Sequence, residues 1–364
     1  IQKEYNLTEY MLNHNYEKIR DKLINIKDIE KLFRKSVMKK VSPKDITIFS
    51  DNVKILIEIS SYIRELHDLK DYINEKNNLK SFDILIDELE LIYNKIDNVL
   101  NLNLSKSIDD ISLEKLNPQD IQKIIYIKKG LSKDIDNSYK DSIESVQKFE
   151  SIKNYLNQCI SSYEKTAKTN EFIKIHETAK LDPTLQTTKR RATFLQKFIN
   201  ENQSNVEITY VSLYTGENTK FLFELSSLEI NSNGSNNTSM IITSKFIRQL
   251  TSSINSSKCK FINSMEIYFN QFINDIMKLN IKLVIDYVST LDLVQNKCYI
   301  VNKFNYVKPN IIVSDKSFFN VKGLRHCLIE QINKKELYVT NDFFLGKNFQ
   351  DGSLLYGTNA VGKT

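Results

Sequence analysis

The feature that most constrains the fold is a long run of helical periodicity from about Ile135 to His176. The apolar residues that recur there at spacings of three, four and seven are Tyr139, Ile143, Val146, Phe149, Leu156 and Tyr163. Because a helix rises about 1.5 Å per residue, roughly forty residues of unbroken helix would reach about 60 Å. That length exceeds the diameter of a small domain, so the run is predicted to project as an arm.

Both flanks of this arm are also predicted to be helical. As far as about Ile127 the apolar residues lie three and four apart, and Gly130 then interrupts the pattern. The segment "DIEKLFRKSVMKK" places four of them on one face: Ile29, Leu32, Phe33 and Val37. The segment "SPKD" at 42–45 indicates a turn followed by a helix start. Helical spacing returns at Ser244 and lasts to about Asn302.

Between the arm and Ser244 the period changes from that of a helix to that of a strand. The segments "VEITYVSLYT" (206–215) and "TKFLFELSS" (219–227) predict a hairpin with its turn at 215–218. The segment "NSNGSNNTS" (231–239) predicts a polar loop. After about Asn302, short strands are predicted around "NIIVSD", "CLIEQ" and "GSLLYG".

Composition limits the classes of protein that need to be considered. The chain has 364 residues with only 8 glycines and 4 prolines, which favours regular and mostly helical structure in two or three domains. No run approaches the eighteen apolar residues of a membrane span. The four cysteines are far apart, which favours reduced thiols inside a cell and disfavours a zinc site. The net charge of +6 is a mild indication of a polyanionic partner.

The segment "GTNAVGKT" fits the phosphate-binding pattern G-x-x-x-x-G-K-[ST]. The residues of this predicted phosphate site are Gly357, Thr358, Asn359, Ala360, Val361, Gly362, Lys363 and Thr364. The glycines let backbone N–H groups point at phosphate oxygens, the lysine reaches the β/γ-phosphates, and the Thr364 hydroxyl would hold Mg²⁺. The preceding Leu354-Leu355-Tyr356 is interpreted as the end of a buried strand. The alternative is a chance match of a short motif.

The chain begins at Ile1 without Met or an apolar signal segment and stops inside this loop. We therefore expect the sequence to be a piece of a longer protein. No Walker B carboxylate follows in context, so we expect the full-length protein to be an ATPase and this piece alone to be inactive.

A basic cluster lies between the predicted arm and the predicted hairpin. From residue 165 to residue 200 there are eight Lys or Arg and three acidic residues. Within it, "TTKRRATF" joins three cations to two hydroxyls: Thr187, Thr188, Lys189, Arg190 and Arg191. Such groups suit phosphate oxygens, which fix position without reading sequence. The alternative is a solvated basic face on a surface helix.

Several of these segments resemble one family, the MutS family of DNA mismatch-repair ATPases. The stretch 285–311 resembles the family's last core helix, with Leu291-Asp292 ahead of an Asn-Tyr-Val-basic-Pro segment at 305–309. "GLRHCLIE" resembles its Arg-His-Pro-x-x-Glu motif, with Cys327 in place of the proline. "LYVTND" (337–342) and "GTNAVGKT" resemble its aromatic-x-x-Asn segment and Walker A loop, with Thr358 where the family usually has Pro. "IKDIEKLFRK" and "GLSKDID" resemble segments of its core and lever base.

The resemblance covers roughly residues 20–364 and is poorest at about 165–245. It implies a mainly α fold with a small β-rich insertion and an incomplete α/β end. The implied domains are a helical core (1–129), a lever helix (130–165), a clamp at the lever tip (166–245), returning lever and core helices (246–302) and the start of a P-loop ATPase domain (303–364).

The function implied by the resemblance is ATP-dependent binding of mismatched or otherwise distorted double-stranded DNA. ATP and Mg²⁺ would be the cofactors, and Tyr338 would stack on adenine with Asn341 near the base. Its partners would be DNA and a second subunit, in a homodimer or a family heterodimer, with no membrane. The location would be intracellular, in the cytoplasm or wherever the genome is replicated, the nucleus included.

Two other readings of the sequence stay open. One is a P-loop ATPase of the chromosome-maintenance type with a coiled-coil arm, although such proteins usually place Walker A ahead of the arm. The other is a non-enzymatic helical scaffold whose phosphate-loop match is accidental.

Overall fold

The computed structural model describes residues 1–108, 123–164, 171–178, 181–202, 205–232, 239–332 and 337–357. The helices in this part of the chain are α1 Gln2–Leu12, α2 Glu17–Leu23, α3 Ile29–Val37, α4 Pro43–Ile63, α5 His67–Lys76, α6 Phe82–Val99, α7 Leu102–Ser107, α8 Lys133–Ser161, α9 Lys189–Glu201, α10 Lys245–Ile276, α11 Ile281–Phe304 and α12 Ile329–Ile332. The strands are β1 Lys174–Thr178, β2 Leu181–Thr188, β3 Asn205–Val211, β4 Asn218–Glu224, β5 Glu229–Ser232, β6 Ser239–Thr243, β7 Phe318–Leu324 and β8 Asn341–Gly346.

The chain divides into two compact units. The helical unit is Asn6–Asn305, and the C-terminal unit is Tyr306 onward together with Ile1–Tyr5. The chain is mainly helical with small antiparallel sheets, which agrees with the predicted mainly α class with a β insertion.

Short polar side chains set where the helices of the helical unit begin. The predicted helix start at 42–45 is confirmed, because Ser42 Oγ accepts from the Asp45 N–H and Asp45 Oδ2 accepts from the Ser42 N–H. This reciprocal capping satisfies two backbone donors that α4 could not otherwise pair. Other helices are capped by a single bond, in which a side chain accepts from the backbone N–H three residues on. Among the capping residues are Asp28 for α3, Ser132 for α8 and Ser244 for α10.

The larger hydrophobic core lies among α4, α6 and α11. Leu56 and Val53 of α4 and Tyr287 of α11 are fully buried members of this core. The Tyr287 hydroxyl shares a hydrogen bond of 2.9 Å with Ser60 Oγ, so its polar end is satisfied inside the core. Burial raises the pKa of Tyr287 above its usual range.

Most of the periodic apolar residues thus form ordinary core, as their spacing predicts. On the predicted apolar face of α3, Ile29 is buried and Leu32 and Phe33 pack against this core. Val37 is an exception: it is 62% exposed, because α3 ends at this residue.

The predicted arm is a helix that packs against a returning helix, α8 against α10. It is shorter than predicted: α8 has 29 residues and so spans about 44 Å. It ends at Ser161, whereas His176 lies in β1. The hydroxyls of Ser161 and Ser162 donate to the carbonyls of Gln158 and Cys159, so they occupy acceptors of the last turn where the helix stops.

Beyond α8 the chain forms a β-rich module with its own hydrophobic core. Its four-stranded sheet has the order β1-β2-β6-β5, and every pairing in that sheet is antiparallel. The predicted hairpin is confirmed as β3 and β4, paired from Asn205↔Glu224 to Val211↔Asn218. Its turn differs from the predicted 215–218: β3 ends at Val211, the turn is 212–217, and Asn218 already pairs in β4. The predicted polar loop at 231–239 is partly wrong, because 231–232 belong to β5 and pair with β6; residues 233–238 lie outside the described residues.

In the C-terminal unit the strand predictions are wrong. The described strands form one antiparallel hairpin, β7 with β8, while "NIIVSD" forms no strand and the end of "CLIEQ" lies in α12. Leu354, Leu355 and Tyr356 also form no strand and are 87%, 72% and 86% exposed. A strand is buried only when neighbouring strands and helices cover it, and the described part of this unit brings no such layer onto these residues.

Candidate functional sites

The predicted phosphate loop lies almost wholly outside the described residues. Gly357 is its only described member, and the others are Thr358, Asn359, Ala360, Val361, Gly362, Lys363 and Thr364. Their roles in binding phosphate and Mg²⁺ therefore stay predictions.

The two predicted adenine contacts lie where the chain enters β8. Asn341 is the first residue of that strand, is exposed, and pairs in register with Leu324 of β7. Tyr338 precedes it by three residues and is partly buried, although its neighbours Leu337 and Val339 are 96% and 75% exposed. A partly buried aromatic ring can stack on a base or complete a core, so the predicted role of Tyr338 stays a prediction.

The "GLRHCLIE" motif forms a closed local structure next to the β7–β8 hairpin. Arg325 Nη1 donates to Glu330 Oε1 at 2.8 Å, and its guanidinium lies 5.6 Å from the Tyr306 ring centroid. His326 Nδ1 accepts from the N–H groups of Leu328 and Ile329, which caps the short turn of α12. Cys327, which stands in place of the proline, is exposed. Arg325 and Glu330 therefore hold each other, and His326 holds the turn between them.

Glycines close the β7–β8 hairpin tightly at two places. The Gly323 N–H donates to Asp342 Oδ1 at 2.7 Å across the pair. Gly346 has φ +73°, and a Cβ built on it would lie 2.1 Å from the Ser317 carbonyl oxygen. Only glycine fits at Gly346 without moving backbone.

The Leu291-Asp292 pair fixes α11 in the core of the helical unit. Leu291 is buried, and Asp292 Oδ1 accepts from Gln295 Nε2 at 2.8 Å. Gln295 Oε1 in turn accepts from Arg20 Nη1 at 2.7 Å, which ties α11 to α2. Asn305 ends α11 in the left-handed conformation, with φ 52° and ψ 48°, a helix end that asparagine tolerates better than most residues.

The "GLSKDID" segment forms the start of α8. Gly130 has φ +87°, and its N–H donates to Asp136 Oδ2 at 3.0 Å. Ser132 Oγ caps the helix at the Ile135 N–H. The glycine, serine and aspartate of this segment therefore shape the start of α8 together. Ser132 caps the first turn, and Asp136 holds the Gly130 backbone that leads into it.

The predicted DNA-binding cluster lies at the junction of β2 and α9. The junction places Lys189, Arg190 and Arg191 in the first turn of α9, and that turn holds no acidic residue. Thr188 occupies the position before the helix, is exposed, and forms no side-chain cap. Since a helix N-terminus carries a partial positive charge, three cations here concentrate positive potential on one surface point. Thr187 differs: it is buried, and its hydroxyl donates to the Phe172 carbonyl at 2.9 Å.

One carboxylate holds both arginines of this cluster. Glu164, whose side chain is 7% exposed, lies 2.9 Å from Arg190 Nη2 and 3.5 Å from Arg191 Nε. Arg191 also lies over the Phe172 ring and is 26% exposed, whereas Arg190 is 68% exposed. The accessible members of the cluster are thus Lys189, Arg190 and Thr188. Nothing in the sequence indicated Glu164, because it lies 26 residues from Arg190.

The cysteines and the other possible metal-ligating side chains of the described ranges form no further site. All four cysteines are free, and those at 159 and 298 are buried, which raises each thiol pKa to about 11. Within the residues that the structure describes, no group of His, Cys, Asp and Glu side chains could hold a metal ion. No helix in those same ranges combines the length and apolar character that crossing a bilayer requires.

Comparison with known proteins gives one informative relation. No protein-family model matches the chain. The chain is 22% identical, over 381 aligned positions, to a protein of Acanthamoeba polyphaga mimivirus described as a putative DNA mismatch repair protein and mutS homolog. The alignment covers 97% of this chain and 31% of that protein, so the chain spans about a third of the length of its curated relative. This similarity supports a MutS-like relation.

Proposed function

We propose that this chain is the core, lever, clamp and beginning of the ATPase domain of a MutS-type DNA-binding ATPase. The protein would act as a dimer, of identical or related subunits, that closes round mismatched or otherwise distorted duplex DNA and is opened and closed by ATP. The observation that carries this proposal is the similarity over 97% of the chain to a protein described as a mismatch repair protein.

The motif residues support the proposal independently of percentage identity. Several of them have a definite structural role: Asp28 caps α3, Gly130 and Asp136 shape the start of α8, Asn305 ends α11, and Arg325 pairs with Glu330. These matches therefore fall on residues that have a structural role in the fold.

The charge distribution supports duplex DNA as the partner. The first turn of α9 presents Lys189 and Arg190 beside the exposed Thr188 hydroxyl at a helix N-terminus. Lysine, arginine, hydroxyl and helix N-terminus are the groups that proteins use for phosphate oxygens. These contacts would position the clamp on the DNA backbone, and Arg191 would support the surface through its pair with Glu164.

The ATPase part of the proposal depends on the loop from Gly357 to Thr364. Lys363 would neutralise the β/γ-phosphates, Thr364 would supply an oxygen ligand to Mg²⁺, and Tyr338 with Asn341 would contact the base. Bound Mg²⁺ would bridge phosphate oxygens and neutralise charge that develops during phosphoryl transfer.

The test is Lys363→Ala in the full-length protein, with Lys322→Ala on the exposed side of β7 as the matched control. We expect Lys363→Ala to abolish ATP turnover because the transferred phosphate loses its only lysine in the loop, while Lys322→Ala hydrolyses ATP like the wild type. Unchanged hydrolysis in Lys363→Ala would remove the nucleotide-binding proposal and favour a non-enzymatic scaffold.

A further inference from the structure

The β3–β4 hairpin connects the two hydrophobic cores of the helical unit. Ile208 and Phe223, in its strands, belong to the core of the β-rich module, together with Ile152 of α8. Tyr214, in its turn at 212–217, packs instead against the larger core, together with Tyr139 near the start of α8. We call this hairpin with its turn the strap, since it extends along α8 from one core to the other.

Gln147 fastens the strap to α8 through the backbone. Its Nε2 donates to the Val211 carbonyl at 2.7 Å, and its Oε1 accepts from the Leu213 N–H at 2.9 Å. The carboxamide thus pairs with the end of β3 much as a neighbouring strand would. Both backbone groups are satisfied by a single side chain, so the contact is lost or kept as a unit.

Tyr214 fastens the tip of the strap through aromatic contacts. Its ring centroid lies 6.1 Å from that of Tyr139, which is buried and lies 5.5 Å from the Phe261 ring of α10. Lys129 Nζ lies 5.2 Å from both tyrosine rings, and Lys140 Nζ lies 5.9 Å from the Tyr214 ring. The tip is therefore held where α8 begins, close to the Gly130 helix entry.

The turn is rigid enough for these two contacts to act together. Ser212 is 1% exposed, and its Oγ accepts from the N–H groups of Tyr214 and Thr215. Its backbone N–H donates to the Glu217 carbonyl, and Gly216, at φ +76°, donates to the Ser212 carbonyl. A preformed turn transmits a displacement at Gln147 to Tyr214 without folding or unfolding itself.

We infer that Gln147 and Tyr214 are positioning residues: they hold the strap against the start of α8 and thereby fix where the β-rich module lies relative to the helical core. Releasing the turn of the strap leaves the module joined to the larger core through α8 and α10, so that module and core can move relative to each other. The consequence for DNA binding depends on the proposed function, whereas the strap itself does not.

The first test is hydrogen exchange on the chain without DNA or ATP, in Gln147→Ala, with Gln158→Ala on an exposed site of the same helix as the matched control. We expect amides 211–217 to exchange about ten-fold faster in Gln147→Ala, because two hydrogen bonds to the strap are lost. The four-stranded sheet should keep its protection, and Gln158→Ala should behave like the wild type.

Two results of that experiment would overturn the inference. Unchanged exchange at 211–217 would show that Gln147 does not hold the strap. Equal acceleration across the strap and the four-stranded sheet would show that Gln147 only supports folding of the module. Tyr214→Phe, which keeps the ring, should retain protection at 211–217, whereas Tyr214→Ala should lose it; equal behaviour of the two variants would exclude the ring contact.

The second test measures position directly. One spin label is placed on the exposed Cys259 of α10 and the other on Lys197→Cys of α9, in a Cys327→Ser background. The two labels report the distance between α10 and the β-rich module. We expect Gln147→Ala to broaden the distance distribution, with Gln158→Ala again unchanged. Faster hydrogen exchange at 211–217 together with an unchanged distance distribution would contradict the positioning role. Loss of ATP turnover or DNA binding in other variants alters neither readout, so failure of the proposed function is distinguishable.

Discussion

Apolar residues have opposite fates in the two units of this protein. In the helical unit, Leu56 and Tyr287 are buried completely. In the C-terminal unit, Val313 is 101% exposed and Leu354 is 87% exposed, although their local sequences are no more polar. An apolar pattern indicates only that a segment is stabilised by packing against other elements, and it does not identify those elements. In the helical unit the covering helices lie in the same chain segment, whereas the described C-terminal unit offers a two-stranded sheet and a four-residue helix.

Truncating an apolar side chain should cost far more stability in the helical unit than in the C-terminal unit, and equal losses would contradict the comparison. Tyr287→Ala should lower the free energy of unfolding of the helical unit by about 3–5 kcal/mol, because it empties a fully buried aromatic site. Leu355→Ala, at a site that is 72% exposed, should change stability by less than about 0.5 kcal/mol. Denaturant titration of both variants measures the difference. A large loss in Leu355→Ala would mean that this segment is covered after all.

Two glycines sharpen the comparison at the level of the backbone. Gly130→Ala places a Cβ in open space at φ +87°, so only the left-handed conformation costs energy, about 1–2 kcal/mol. Gly346→Ala has the same conformational cost and also drives a Cβ into the Ser317 carbonyl at 2.1 Å. We expect hydrogen exchange to show loss of protection across β7 and β8 in Gly346→Ala, and a smaller change confined to the start of α8 in Gly130→Ala. Similar small effects in both would contradict the close approach at Gly346.

A finer question is whether the half-buried aromatic of the C-terminal unit belongs to a core or to a ligand. Tyr338→Ala in the full-length protein should weaken ATP binding by a few-fold to tens-fold, because stacking on a base contributes about 1–3 kcal/mol. Tyr338→Phe keeps the flat ring and should bind ATP like the wild type. Wild-type affinity in both variants would assign Tyr338 to the core.

The parts of the fold that the sequence predicted are those whose causes are local. The hairpin of β3 and β4, with Gly216 at positive φ, and the helix start at Ser42 follow from turn and capping residues within a few positions. The end of α8 did not follow from periodicity, because Tyr163 continues the apolar pattern beyond Ser161. The strands β7 and β8 were also missed, since apolar runs elsewhere in that unit were equally strand-like.

For the candidate sites too, the sequence predicted the features with local causes and missed the contacts that depend on the tertiary fold. The sequence predicted a basic cluster, and the structure brings Lys189 and Arg190 to one helix start. The sequence could not predict that the Thr187 hydroxyl would donate to the Phe172 carbonyl, because that contact depends on the tertiary fold. The pairing of both arginines with Glu164 depends on it as well.

The most direct test of the proposed function is the salt dependence of duplex DNA affinity in a variant with Lys189→Ala and Arg190→Ala, compared with Lys80→Ala at an exposed site of the helical core. If both residues contact phosphates, the slope of log K against log salt should flatten by about 1.8, since each lost contact removes about 0.9. Affinity should fall equally for all duplex sequences, and Lys80→Ala should match the wild type. An affinity and slope unchanged in the double variant would contradict the account, because the start of α9 would then face only solvent.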